Sequence, residues 1–162
     1  MCFRMAADQG DVSAQFTLGV CCANGEGVEK DDEEAVKWYR LATDQGDARA
    51  QNNLGLMYLN GQGVAKDGQE AVTWFSKAAG QGHASAQRSL GIMYRNGLGV
   101  AKDEKEAVKW YRMAADQGLE EAETATKEFR NGEILRKEEV GMNLGCLIWV
   151  IIIVGTALLF LF

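Results

Sequence analysis

The chain repeats itself with a fixed step of 36 residues, and this repeat constrains the fold more than any other feature. The central copy, 50–82, reads AQNNLGLMYLNGQGVAKDGQEAVTWFSKAAGQG, and the stretches 14–46 and 86–118 match it in phase. A fixed period of about 20–50 residues is typical of repeat architectures, in which stacked neighbours complete one core. The large apolar residues that recur in phase, and that we expect in this core, are Leu18, Leu54, Leu90, Trp38, Trp74 and Trp110.

Each copy predicts two amphipathic helices joined by a glycine-rich turn. In the first half of the central copy, apolar residues recur at i, i+4 and i+7 from Ala50 onward, and a second stripe starts at Ala71. Between the stripes lies NGQGV, 60–64, whose glycines end the first helix and permit positive φ. Asp67 and Glu70 predict a capping box at the start of the second helix. The expected fold is therefore all-α, an α-solenoid of helical hairpins.

The repeated pattern also resembles a known family. The motif A-x-x-x-L-G-x-x-Y-x-x-G-x-G-V-x-x-D-x-x-x-A-x-x-W-[FY]-x-x-A-A-x-Q-G is similar to the Sel-one-like repeat, a relative of the tetratricopeptide repeat, from Cys2 to about Gly132. Two positions depart from it: Cys22 replaces a tyrosine in the first copy, and Gly80 replaces an acidic residue in the second. The resemblance implies an α-solenoid that acts as a protein-interaction scaffold, often in adaptor or signalling assemblies, with no catalytic residues.

The repeat phase divides the chain into segments. The core leucine and the adjacent glycine become Thr126 and Lys127 after the third copy, as expected for a polar capping helix. The chain also starts inside a second helix, so we expect it to be a fragment of a longer repeat protein. The predicted segments are a partial repeat at 1–10, three full repeats at 11–118, a degenerate capping helix at 119–132, a charged connector at 133–143 and a transmembrane helix at 144–162.

The transmembrane prediction comes from the run LGCLIWVIIIVGTALLFLF, which carries no charge. As a helix it would be about 29 Å long, close to the thickness of a bilayer core. A buried core helix and an out-of-frame extension are the alternatives, and the run is too apolar on all sides for a surface helix. Arg136 and Lys137 precede it, so the positive-inside rule predicts a single-pass protein with cytoplasmic repeats. Luminal or exported repeats remain the alternative if the N-terminus is missing.

Candidate partner-binding residues lie where the copies diverge on the first helix. Asn52 and Arg88 occupy equivalent positions, as do Leu59 and Arg95. In tetratricopeptide-like solenoids the first helices line the concave surface, so we expect these four residues to contact a partner polypeptide. The alternative is that they belong to a solvated face that has diverged neutrally.

Several other patterns have simple structural explanations. The only histidine, His83, falls at a turn between copies, where we expect a surface residue rather than a metal ligand. The Gly-x-Gly loops follow helices and lack a Lys-Ser/Thr signature, which indicates turns rather than phosphate sites. The four cysteines form no CxxC pair, and the net charge of −6 disfavours nucleic acid. We therefore expect no metal, cofactor, small-molecule substrate or enzymatic activity.

The combined hypothesis is a membrane-tethered interaction scaffold or adaptor that binds a partner polypeptide on the concave face. One alternative follows from the resemblance: a luminal adaptor subunit of a membrane protein quality-control complex, as in degradation at the endoplasmic reticulum. The other is a hydrolase like the cysteine-rich bacterial members, which the lack of a catalytic constellation disfavours. The sequence does not identify the partner.

Overall fold

The described part of the protein consists of α-helices joined by short turns. The computed structural model describes residues 2–131, with side chains from Arg4 onward. Residues 120–131 are also helical, up to the last described position. The other helices, in chain order, are α1 (Cys2–Asp8), α2 (Val12–Asn24), α3 (Asp32–Asp44), α4 (Ala48–Asn60), α5 (Gly68–Gly80), α6 (Ala84–Asn96) and α7 (Glu104–Ala115).

The helices pair into hairpins that stack in sequence. Helices α2 and α3, α4 and α5, and α6 and α7 make the most extensive contacts, one pair for each sequence copy. The second helix of each hairpin then packs on the first helix of the next, α3 on α4 and α5 on α6. The prediction of an all-α helical repeat solenoid is confirmed.

The helix ends follow the predicted turn chemistry with one difference. Gly61 adopts the left-handed conformation, φ 72°, and ends α4. The carboxylate of Asp67 accepts hydrogen bonds from the backbone N–H groups of Gln69 and Glu70, at 2.9 and 3.1 Å, and so caps α5. The N–H of Asp67 donates to the carbonyl of Tyr58, at 2.9 Å, rather than to the Glu70 side chain of a capping box. This bond ties the two helices of the hairpin together.

The central aromatic residue of each hairpin follows the tryptophan. Phe75 is 0% exposed, and Tyr39 and Tyr111 occupy its position in the other copies. Each ring lies over a glycine of the first helix: a Cβ on Gly55 would come 2.7 Å from Cε1 of Phe75. The three repeated leucines are buried beside these rings. Glycine at this position is therefore what allows the aromatic ring to pack against the helix backbone.

The tryptophans lie closer to the edge of the core than the sequence suggests. Trp38 is buried, but Trp74 and Trp110 are only half-buried and pack against the outside of the core clusters. The ammonium group of Lys77 lies 4.0 Å from the centre of the Trp74 ring. Neighbouring side chains on a helix point about 100° apart, so only one of two adjacent aromatics can face the centre of the hairpin.

The glycine-rich turns also form contacts between copies. Gly63 has a φ of 65°, and a Cβ built on it would overlap the backbone carbonyl of Asp32 in the preceding copy. Gly99 approaches the backbone of Gly68 in the same way. Gly27 has a similar φ, 72°, and a Cβ there would meet no atom within 4 Å. The second glycine of the turn is thus a close-packing position as well as a turn position.

The chain divides into two units, Met1–Glu123 and Thr124–Phe162. The first contains the three hairpins, and 124–131 is the described part of the second. Within the described residues, none of the helices combines the length and the apolar character needed to cross a bilayer. The predicted connector, 133–143, and the predicted transmembrane segment, 144–162, lie outside the described residues, as does the last residue of the predicted capping helix.

Candidate functional site

The first helices keep one side open to solvent. On α4, Arg49 is exposed and Leu56 is 37% exposed. On α6, Ile92 and Arg88 are half-buried and Arg95 is exposed. Arg88, Ile92 and Arg95 are spaced i, i+4 and i+7, so they form one stripe along the helix. We call these five side chains the first-helix face.

The structure places the four sequence-predicted partner residues differently from one another. Arg88 and Arg95 lie on the first-helix face, whereas Leu59 is half-buried against the core cluster around Phe75. Asn52 is only 7% exposed, and its Oδ1 atom accepts no hydrogen bond from the described residues. Each first helix packs between two second helices, so its exposed stripe is narrower than on a helix with one buried side. Sequence reasoning missed Leu56 and Ile92, because it sought candidates where the copies diverge and these equivalent positions are both apolar.

Arg49 is held in place by two neighbours, the Asp47 cap of its own helix and an aromatic ring on α2. Its guanidinium contacts the carboxylate of Asp47, with Nη2 2.6 Å from Oδ2, and lies 4.4 Å from the centre of the Phe16 ring on α2. Burial alone would raise the pKa of Asp47, but hydrogen bonds from Arg49 and from the N–H of Ala50 outweigh it and lower that pKa. The positive charge of Arg49 is therefore locally balanced, and its side chain bridges α2 and α4.

Pairs of glutamines join the start of the first helix to the end of the second helix within each hairpin, a seam that sequence reasoning also missed. The side-chain amide of Gln81 donates to the buried Gln51 oxygen at 2.8 Å. The same contact recurs at 2.8 Å in the neighbouring copies, for the pairs Gln45–Gln15 and Gln117–Gln87. The available signal was the in-phase repetition of Ala-Gln at the start of each copy and Gln-Gly at its end. The paired side chains hold the two helices of each hairpin together, and Gln15 and Gln87 also donate to a carbonyl of the preceding copy, at 3.1 and 3.3 Å.

His83 is a helix cap rather than a plain surface residue. Its Nδ1 accepts a hydrogen bond from the N–H of Ala86 at 3.3 Å, at the start of α6 where Asp47 caps α4. A nitrogen that accepts a hydrogen bond must be unprotonated, so the cap requires the neutral imidazole. Burial lowers the pKa of His83, the charge of Arg49 acts in the same direction, and Asp47 opposes both.

We expect this cap to make the stability of the protein depend on pH. The unfolded chain binds a proton more readily than the folded one, so the contribution of His83 is complete above its ordinary pKa of 6.5. It should be lost as the pH falls through the lowered folded pKa, at a cost of about 1 kcal/mol, typical of a lost cap. The measurement is the thermal unfolding midpoint at about pH 7.5 and about pH 5, on either side of that range. His83→Asn, which keeps an uncharged acceptor, should show a smaller shift; an equal shift would contradict the assignment.

The arrangement of the helices identifies the structural class of the protein. Helical hairpins that stack in sequence, each with a glycine-rich turn between its two helices, identify a tetratricopeptide-like repeat protein. The family model described as Sel1 repeat matches residues 1–11, 12–47, 48–83 and 84–119. The chain therefore belongs to the Sel1 repeat family, as the sequence resemblance implied.

Solved structures with the same fold come from several bacteria. A protective antigen of uropathogenic Escherichia coli strains is 47% identical over 74% of this chain, with a TM-score of 0.73, and the chain spans 26% of that protein. A Sel1 repeat protein from Oxalobacter formigenes is 45% identical over 79% of this chain and 96% of its own, with a TM-score of 0.71. Cysteine-rich protein B of Helicobacter pylori is 28% identical over 74% of this chain and 91% of its own, with a TM-score of 0.61. A comparison with curated proteins found no match.

Proposed function

We propose that this protein is an interaction scaffold whose first-helix face binds a segment of a partner polypeptide. The observation that supports this most is the open, mixed character of that face, where Leu56 is 37% exposed between arginines. Arginine is enriched at interface hot spots, and exposed apolar side chains next to it offer surface that a partner can bury. Sel1 repeats generally mediate protein–protein interactions, and the helical scaffold found here is the type used by such adaptors.

The proposed mode of action is binding rather than catalysis. The only histidine of the chain uses Nδ1 to cap α6, a role that its neutral form fulfils. The repeated aspartates that begin the second helices are likewise occupied as caps, as Asp31, Asp67 and Asp103 show. A hydrolytic or transferase turnover that is lost in a single point mutant would contradict this part of the proposal.

The scaffold is proposed to be tethered to a membrane by residues 144–162. Support comes from the length and uncharged composition of that segment in the sequence. The basic residues before it favour repeats on the cytoplasmic side, and a luminal adaptor is the alternative orientation. Retention of the full chain in membranes after carbonate washing tests the tether, and release into the soluble fraction would contradict it.

The binding proposal is tested with two matched double variants of the full chain. Leu56→Asp with Arg88→Glu alters the first-helix face, whereas Leu41→Asp with Arg112→Glu makes the same chemical changes at exposed positions of α3 and α7. Each partner that co-purifies with the wild type from solubilised membranes is quantified by mass spectrometry. We expect the amount of specific partner recovered with the face variant to fall about tenfold or more, because one substitution removes an apolar contact and the other reverses a charge.

The control variant separates binding from folding. Both variants should keep the helical content of the wild type by circular dichroism, since all four positions are on the surface or partly exposed. If both variants retain the same partners, or if the control loses them equally, the first-helix face is not the binding surface.

A further inference from the structure

We propose that the segment bound by the first-helix face is acidic and also carries apolar side chains. This inference rests on the proposed function and specifies the chemistry of the partner. It comes from the distribution of charge between the two helices of each hairpin, which the overall composition conceals.

Taken together, the first helices of the three hairpins carry a net positive charge, opposite to that of the chain as a whole. The chain has a net charge of −6, yet α2, α4 and α6 contain three arginines and no aspartate or glutamate. The acidic residues of the hairpins lie in the second helices, the caps and the turns; the first turn of α3 alone has three. Segregated charge produces a local potential that attracts an oppositely charged partner. The first-helix layer is thus the part of the hairpin stack that should attract anions.

The positive character is strongest on α6. The charge of Arg49 on α4 is balanced by Asp47, which caps that helix. On α6 the cap is His83, whose lowered pKa keeps it neutral at physiological pH, and Ser85 takes the position of Arg49. Arg88 forms no ion pair or hydrogen bond with another side chain in the described part of the chain. Its guanidinium is half-buried and has no ion-pair partner among the described residues, so it can donate hydrogen bonds to a carboxylate of a partner.

The apolar residues of the face specify the second property of the partner. Ile92 lies between Arg88 and Arg95 on α6, and Leu56 is exposed on α4. A segment with carboxylates alone would leave these apolar side chains in water, whereas one that also has leucine-like residues would bury them. A nucleic acid needs a larger number of phosphate contacts than three arginines interspersed with apolar groups provide. An acidic, partly apolar polypeptide satisfies both features of the face.

The probe is a fluorescein-labelled peptide of alternating Glu and Leu, and its binding to the full chain in neutral detergent is followed by fluorescence anisotropy. Two peptides of equal length, alternating Lys and Leu or Glu and Ser, separate the contributions of charge and apolar contact. We expect the Glu–Leu peptide to bind most tightly and to weaken as salt rises from about 0.05 M to about 0.5 M, because screening shortens the range of the attraction.

Arg88→Glu should weaken Glu–Leu binding about tenfold or more, because it replaces attraction with repulsion on the first-helix face. Arg112→Glu makes the same change at an exposed position of α7 and should change the affinity by less than about twofold. Equal loss in both variants would contradict the proposal, as would equal binding of the Lys–Leu peptide. Competition by a single-stranded oligonucleotide or by anionic vesicles that depends on Arg88 would instead indicate a nucleic-acid or membrane surface.

These outcomes are distinguishable from failure of the proposed function. If the double variant of the first-helix face loses its cellular partner while the Glu–Leu peptide does not bind, the face binds a polypeptide of different chemistry. If that double variant keeps every partner, the binding role of the face itself is wrong, whatever the peptide does.

Discussion

Replacing Phe75 with alanine is expected to lower the free energy of unfolding by about 3–5 kcal/mol, the range for a fully buried aromatic side chain. The ring is 0% exposed and rests on the backbone of α4 at Gly55, where no side chain can move in to fill the space it leaves. The measurement is chemical unfolding of the full chain in neutral detergent, followed by circular dichroism. Because hairpin stacks can unfold in parts, the midpoint and the slope of the transition are compared together.

Trp74→Ala is the matched control, since it removes the larger aromatic from the adjacent position. Trp74 is only half-buried, and Lys77 covers one side of its ring, so its loss should cost about 1–2 kcal/mol less than that of Phe75. A larger effect for Trp74 than for Phe75 would show that the tryptophan, not the residue after it, carries the core of the hairpin.

Gly63→Ala is expected to destabilise the protein by about 3 kcal/mol or more. The left-handed φ of 65° disfavours any residue with a Cβ by roughly 1–2 kcal/mol. The added methyl group would also overlap the backbone carbonyl of Asp32 in the preceding copy, and overpacking costs about 1–3 kcal/mol. Backbone at the start of α3 cannot move aside as a flexible side chain could, so the two hairpins would have to separate. Thermal unfolding by circular dichroism measures the loss.

Gly27→Ala provides the matched control for this prediction. Gly27 has nearly the same conformation, φ 72°, but a Cβ at this position meets no atom within 4 Å. Only the conformational cost should remain, about 1–2 kcal/mol. Equal losses for the two variants would mean that the turn glycines serve the turn alone and contribute nothing to the contact between copies.

The sequence was sufficient to predict the hairpins because their signals repeat in phase. The apolar stripes, the turn glycines and the capping aspartates each recur in three copies, so a pattern that is ambiguous once becomes specific by repetition. The order of the helices and the all-α class follow from those signals. The transmembrane segment and its orientation stay predictions, since they concern residues outside the described part of the chain.

Details that depend on how neighbouring helices pack against each other were not predictable in the same way. Trp74 and Phe75 are both aromatic, and only the position of Gly55 on the facing helix decides which one is central. Asn52 has a polar side chain at a variable position, and it is buried because α4 packs between two helices, α3 and α5. Arg88 and Arg95 were predictable as candidates for the open face because arginine is seldom fully buried.

The glutamine seam has a consequence for how such a protein can change in length. The first-helix glutamine of this seam also reaches the preceding copy: Gln15 donates to the carbonyl of Ala7 at 3.1 Å, and Gln87 makes the equivalent bond to Ala79 at 3.3 Å. A hairpin duplicated or deleted in frame would therefore meet its new neighbour through a junction that already exists elsewhere in the stack. Gene duplication can extend or shorten the array one unit at a time, and each added unit brings a first helix whose outer residues are free to acquire a different specificity.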